Sequence, residues 1–355
     1  MSYLIPIRTA IILFPLIALL FTIPFILHQY HKYGSIHKFR VCIIYSFILY
    51  MMVIYFLVIL PLPKMEEVVY QEGMIRLIPF TFIFDFLRES SLVISEPSTY
   101  LLALKEPCFY TVLFNILMTV PFGMYLRYYF KCSLKKTIFY SFLLSLFFEL
   151  TQLTGLYYIY PYPYRFFDVD DLLMNTLGGI IGYFFMGLFK KFLPSREEID
   201  SISIEKGKEV SGLRRITLFF LDIFLFFLFF FFIASFFKIK YIGLFLFFIY
   251  YIFIPTILDG KTIGGQFLNV RLLFSNHSFV RSIIRILFLF AYYFAFPYFL
   301  LCLLGITRGI LNIIIYPTIF LFILLFYPLH IFLLLKKKRL FYDKILGVSY
   351  LSTIQ

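Results

Sequence analysis

Between Glu149 and Gly182 the chain gathers Glu149, Gln152, Arg165, Asp168, Asp170, Asp171 and Asn175 within a sequence that is otherwise 62% hydrophobic. Ionisable groups beside hydrocarbon are costly unless they are paired or hydrated, so such a cluster is the first place to look for function. Several chemistries fit these residue types. The carboxylates offer hard oxygen ligands suited to magnesium or calcium, which would support action on a lipid-linked phosphate. The same three aspartates precede an apolar helix and serve equally well as caps that complement its dipole. Glu149, flanked by Leu146, Phe147, Phe148 and Leu150, needs a partner, and Arg165 is the nearest cation in sequence. A Glu149–Arg165 pair is therefore expected as an alternative to a snorkelling arginine. No metal and no cofactor is assigned.

Other chemistry finds little support. There is no Gly-x-Ser-x-Gly, no His-Glu-x-x-His and no phosphate-cradling glycine loop before a helix. Of the five histidines, His28, His31 and His37 read as members of a solvated basic loop, His277 falls in another loop, and His330 lies near the end of the last apolar stretch. The four cysteines, Cys42, Cys108, Cys132 and Cys302, are far apart and read as unpaired.

The elements that must hold the cluster are membrane helices. A mean hydropathy of +0.93, 14% charged residues and 52 Phe exclude a soluble core with a solvated surface. The expected fold class is all-α: a polytopic membrane protein with about nine spans in two bundles. Hydropathy places these spans near 9–27, 41–60, 109–127, 137–153, 172–189, 216–237, 240–258, 283–305 and 310–335. A kink or re-entrant segment at Lys238–Lys240 or Gly305–Gly309 is the alternative to an external turn within the two closely spaced pairs. The first apolar run lacks a basic flank and a cleavage site and is expected to remain as a span.

Charge supplies an independent check. Of the 32 Lys and Arg residues, 23 fall in the segments 28–40, 127–137, 190–215, 259–285 and 336–344, which are every second loop plus the C-terminal end. By the positive-inside rule those segments are cytoplasmic and the N-terminus is outside. The alternation explains the net charge of +13 without nucleic acid as a partner. It also places the loop from Arg165 to Asp171 on the external face. Glu149 and Gln152 then share a helical face at the outer end of the fourth span. Asn175, Gly178 and Gly182 share a face of the fifth, where the two glycines form a small-xxx-small pair that lets helices approach closely.

The order of these residues resembles the VanZ-like family. Leu77-Ile78-Pro79-Phe80 comes first, followed by Asn115-Ile116-Leu117 with Pro121-Phe122-Gly123, and then Glu149 with Gln152. Arg165-Phe166-Phe167-Asp168-Val169-Asp170-Asp171 and Asn175-Thr176-Leu177-Gly178-Gly179 complete the series. Tyr164 stands where the family usually has a small residue, and Leu156 to Tyr164 is a Tyr- and Pro-rich extension. The resemblance covers roughly residues 9–190. It implies a link to teicoplanin-type glycopeptide tolerance, and the expectation is a non-enzymatic or unassigned envelope protein of the bacterial plasma membrane that contacts membrane lipids, cell-wall precursor lipids or glycopeptides.

Residues 194–212 are polar and lack apolar periodicity, as a linker between two membrane units would. The expected organisation is a VanZ-like domain over 1–193, the linker over 194–212 and a second membrane domain over 213–355. That second domain resembles the RDD family. Arg215 and Asp222 have its spacing, Gly260-Lys261-Thr262-Ile263-Gly264 is similar to its glycine turn, Arg281 and Arg285 open the next helix, and Asp343 with Gly347 is similar to its last motif. Thr217 or Leu218, Gly265 and Val348 depart from the pattern. Asp222, about two turns into a Phe-rich helix, wants Arg215, Arg281 or Arg285 as partner. An ion-coupled transporter and a structural ion-pair network both account for these charges.

Overall fold

The computed structural model describes residues 4–237, 242–274, 278–306, 312–336 and 339–354. The nine expected stretches are helical where described except for Leu60, Phe237 and Leu258 at their ends, and the protein is an all-α polytopic membrane protein. Seven helices among the described residues are long and apolar enough to cross a membrane. Lys238–Lys240 and residues 307–309, where a kink was the alternative, lie outside the described residues, as does His277.

The chain divides into two units, one formed by Met1–Phe21 with Lys38–Ile199 and the other by Thr22–His37 with Asp200–Gln355. Helix α1 (Leu4–Tyr33) therefore contributes to both. The first unit continues with α2 (Lys38–Ile59), a two-residue strand β1 (Ile75–Arg76) and the short helix α3 (Thr81–Glu89). Three long helices follow: α4 (Pro107–Tyr128), α5 (Leu134–Leu153) and α6 (Val169–Phe189), with β2 (Phe167–Asp168) leading into the last. The polar segment after α6 contains a helix of its own, α7 (Arg196–Gly207).

Helix α5 is long enough to span yet is not among the seven, and its sequence explains why. Thr137, Ser141, Ser145, Glu149 and Gln152 recur at four- and three-residue spacing and are all buried. This stripe faces α6 and α4 rather than lipid. The apolar residues of the same helix, Phe139, Phe142, Leu143 and Phe147, remain exposed, as a lipid-facing surface would be. Close packing is set by glycines. A Cβ on Gly178 would overlap the carbonyl oxygen of Ile116, and one on Gly182 that of Val120, so α6 and α4 meet backbone to backbone. Pro121 interrupts α4, and the hydroxyl of Tyr50 on α2 inserts there, donating to Met118 O at 2.9 Å and accepting from Phe122 N at 3.1 Å. A small apolar cluster of Ile54, Met118 and Phe148 lies alongside.

The second unit holds α8 (Gly212–Phe236) and α9 (Ile242–Phe248), the latter extended to Ile257 through a π-helical turn over Ile249–Phe253. After these come α10 (Ile263–Phe267), β3 (Val270–Phe274) and α11 (Ser278–Phe290). A second π-helical turn over Ala291–Ala295 joins α11 to α12 (Phe296–Ile306), and α13 (Asn312–Leu335) and α14 (Phe341–Ile345) precede β4 (Val348–Ser352). Strands β3 and β4 pair antiparallel from Val270–Ser352 to Phe274–Val348. Hydropathy does not announce this ribbon, because its apolar residues continue the surrounding pattern. Tyr30, Val210, Leu218, Leu268 and Val270 form the core beside it.

Candidate functional site

The VanZ-like motif residues converge at one end of α5 and α6, and each has a definite task. Asp168 is the N-cap of α6, its Oδ1 accepting from Asp170 N at 2.9 Å. Burial holds its carboxyl above the ordinary carboxylate range, with the Asp170 N–H opposing the shift. Its own N–H donates to Glu149 Oε2 at 3.0 Å, which ties the start of α6 to the end of α5. Asp170 turns the other way. Its Oδ1 accepts from Phe80 N at 2.6 Å, and its Oδ2 accepts from Thr81 Oγ1 at 2.7 Å and from Phe82 N at 3.0 Å. A carboxylate on α6 thus caps α3, whose preceding residue Phe80 has a left-handed backbone and no capping side chain of its own. This bond network explains why the Ile-Pro-Phe segment and the second aspartate occur together. Asp171 accepts from Asn115 Nδ2 on α4.

Further along, Asn175 Nδ2 donates to Ser145 Oγ at 2.9 Å, and Thr119 Oγ1 donates to Asn175 O at 2.7 Å. Asn175 Oδ1 and Ser141 Oγ are buried without a hydrogen-bond partner among the described residues. Gln152 Nε2 and Arg165 Nη1 both donate to Val58 O, each at 2.9 Å, so the exposed carbonyl end of α2 is satisfied by two side chains.

This overturns the expected Glu149–Arg165 pair. Arg165 neutralises a helix C-terminus instead, and Glu149 serves a backbone N–H. The distribution of charge is the more telling feature. Glu149 and Asp170 are buried, while Arg165 and Arg76 are exposed. Arg76, which sequence reasoning passed over, stands 3.9 Å from Asp168 Oδ2 and stacks on the Phe166 ring at 4.7 Å. It is placed by the parallel pairing of β1 with β2. Tyr70, Tyr158, Tyr162 and Phe166 are exposed aromatics of the connecting segments, with Tyr70 set edge-on to Tyr162 at 5.8 Å. The loop carrying Tyr158 is strained: Leu156, Tyr157 and Tyr158 all have left-handed backbones. Tyr164 packs on Tyr160 at 5.5 Å, and burial pushes its hydroxyl up to about 12. Among the described residues no three His, Cys, Asp or Glu side chains are arranged to hold a metal ion. Asp170, with both oxygens committed to the α3 cap, shows one reason.

In the second unit the charges are also partitioned, in a way the sequence did not suggest. Asp222 meets no arginine by hydrogen bond. It accepts from Tyr250 Oη at 3.0 Å, Gly264 N at 3.0 Å and Thr262 Oγ1 at 2.7 Å, which fastens the glycine turn at the start of α10. Arg285 pairs instead with Asp343 at 2.9 Å and donates to Tyr350 Oη at 2.7 Å. Arg215 stacks on the Tyr350 ring at 4.4 Å, and Arg281 donates to Leu346 O at 2.9 Å. The fully buried arginine is its neighbour Arg214, which donates to the carbonyls of Gly34, Gly207, Leu268 and Asn269. Nothing in an Arg-Arg dipeptide distinguishes the two, since only the fold decides which one faces the carbonyls. His31, expected in a solvated loop, is exposed but lies in the last turn of α1, where it stacks on Phe267 at 4.5 Å and meets Phe267 O at 2.7 Å. His330 is buried against Tyr292 Oη at 2.8 Å.

Comparison with known proteins agrees with the motif reading over the first unit. Residues 47–190 match the VanZ/LLP1 family model, a stretch that begins within α2 and ends just beyond α6. No curated protein matches the chain, and no solved structure matches it. From within α2 to just past α6, the stretch that holds the converging polar residues, residues 47–190 are similar to the VanZ/LLP1 family, within a polytopic membrane protein.

Proposed function

We propose that the protein is a non-enzymatic component of a bacterial plasma membrane, oriented with its N-terminus outside and its C-terminus cytoplasmic. In this reading the polar end of α5 and α6 faces outward and binds cell-wall precursor lipids or glycopeptides, giving tolerance to teicoplanin-type glycopeptides. One observation carries the reading: two exposed arginines, Arg76 stacked on the exposed ring of Phe166 and Arg165 next to that ring in sequence, lie at the end of the bundle where Glu149 and Asp170 are engaged internally. Guanidinium groups suit phosphate and carboxylate, and aromatic faces suit sugars and cations. The lysine and arginine alternation supports the orientation. The test is drug susceptibility of a host expressing the wild type, Glu149→Ala or Arg165→Ala at matched membrane abundance. Loss of tolerance in both variants is expected, and identical susceptibility removes the proposal.

A second reading concerns residues 213–355, whose likeness to the RDD family rests on their motif residues. Asp222, buried within a span and held by neutral donors, is the type of carboxylate that takes up and releases a cation in an ion-coupled transporter. Proton or sodium flux in vesicles should then fall in Asp222→Asn. Undiminished flux in that variant excludes the role for Asp222, and the absence of flux in the wild type excludes transport.

A further inference from the structure

Helix α3 leaves an apolar cleft against α4. Phe82 and Phe86 from α3 and Cys108, Phe109, Val112 and Ile116 from α4 form its walls, which enclose about 280 Å³. That volume is near the lower end for small-ligand pockets, and no charged side chain lines it. The cleft adjoins the polar site through a short series of contacts. Phe82 N donates to Asp170, Asp170 N donates to Asp168, and Asp168 faces Arg76. The 3.9 Å separation of that last pair is too long for a hydrogen bond, so the Arg76 fork can still take an oxygen. Its guanidinium stacks on Phe166, the residue that follows Arg165 in sequence.

The surroundings indicate where this cleft lies. Leu77, Ile78, Phe84 and Leu87 are 65 to 72% exposed although they belong to no spanning helix. Exposed apolar side chains clustered around a short helix are the mark of a segment in the plane of the bilayer interface. A cleft at that depth opens to acyl chains, and the arginines beside it stand at the level of head groups.

We propose that the cleft seats one hydrocarbon chain of a membrane lipid whose phosphate is bound by Arg76 and Arg165. The proposal rests on the reading above that this end of the bundle is the binding face, and it names the part of the ligand that is recognised. The chain fills apolar volume that α3 and α4 leave open. The phosphate supplies anionic oxygens to two guanidinium groups otherwise compensated by one loose carboxylate and one helix carbonyl.

Cys108 makes the test direct. In the full chain carrying Cys42→Ser, Cys132→Ser and Cys302→Ser, Cys108 is the remaining thiol, and its alkylation by a membrane-soluble maleimide in maltoside micelles reports on the cleft. Phosphatidic acid is expected to slow alkylation on the order of tenfold more than diacylglycerol with the same chains, the factor that about 1.4 kcal/mol supplies. Arg76→Gln combined with Arg165→Gln should bring phosphatidic acid down to the diacylglycerol level while the alkylation rate in lipid-free micelles stays that of the parent. Equal protection by the two lipids overturns the phosphate site, and no protection by either overturns the cleft. Protection by inorganic phosphate alone would mark an anion site without a chain and equally overturn the proposal. Selective protection with unaltered drug susceptibility would leave the lipid site standing and discard the tolerance reading.

Discussion

Asp170 and Asp222 lie in different units, yet each spends both carboxylate oxygens on the first turn of a short helix elsewhere in its own unit. The free N–H groups of a helix start attract an anion, and a buried carboxylate is compensated when it finds several of them. Asp222 is held by neutral donors, which is why pairing it with Arg215, Arg281 or Arg285 misassigned its hydrogen-bond partners. In Asp170→Ala the N–H groups of Phe80 and Phe82 lose their acceptor, at a cost of about 1–3 kcal/mol each where they stay dry. Amide exchange at Phe80 and Phe82 should therefore accelerate by at least roughly tenfold, the equivalent of 1.4 kcal/mol. Unchanged exchange at both amides would show that α3 holds its first turn without Asp170.

Among the elements, α6 is the most tightly specified. Between membrane helices the driving force is close packing and interhelical hydrogen bonding, and small residues decide how near two backbones come. Gly178 and Gly182 set that distance against α4, and the stripe from Thr137 to Gln152 supplies polar atoms from α5. A leucine at Gly182 has backbone to displace, so Gly182→Leu should lower the melting temperature sharply and reduce membrane abundance. Gly187 offers a contrast. A Cβ there meets the guanidinium of Arg127, the movable end of a long side chain, so Gly187→Ala should stay close to the parent. Equal melting temperatures for the two variants would argue against the backbone contact. The glycine pair was readable from spacing alone. The serine and threonine positions of α5 obey the same spacing rule, but single hydroxyls in an apolar helix look unremarkable until the neighbouring helix is in place.

For the whole molecule, the long apolar stretches made the helical spans legible, because a span needs about 20 apolar residues. Seven of the nine expected ones qualify among the described residues, while α5 carries a polar stripe and the helix over 242–257 is short. The VanZ-like motif order picked out polar residues that the fold brings together at one end of α5 and α6. What sequence did not disclose is partnership: Arg76 reaches Asp168 through a two-residue parallel pairing, and Arg165 turns to Val58. Both depend on segments far apart in sequence, where no periodicity operates. The second unit was least legible, since an Arg-Arg pair and a β-ribbon within apolar sequence carry no local mark.

Helix α1 bears on how the chain can be divided. Its last turns and Gly34 belong to the second unit, where the Gly34 carbonyl is one of the acceptors that satisfy buried Arg214. A fragment starting at Asp200 would lack that acceptor and leave part of a fully desolvated guanidinium without a bond. The C-terminal half is thus not a cassette that a single cut can release, and its integrity depends on a segment encoded ahead of the VanZ-like stretch.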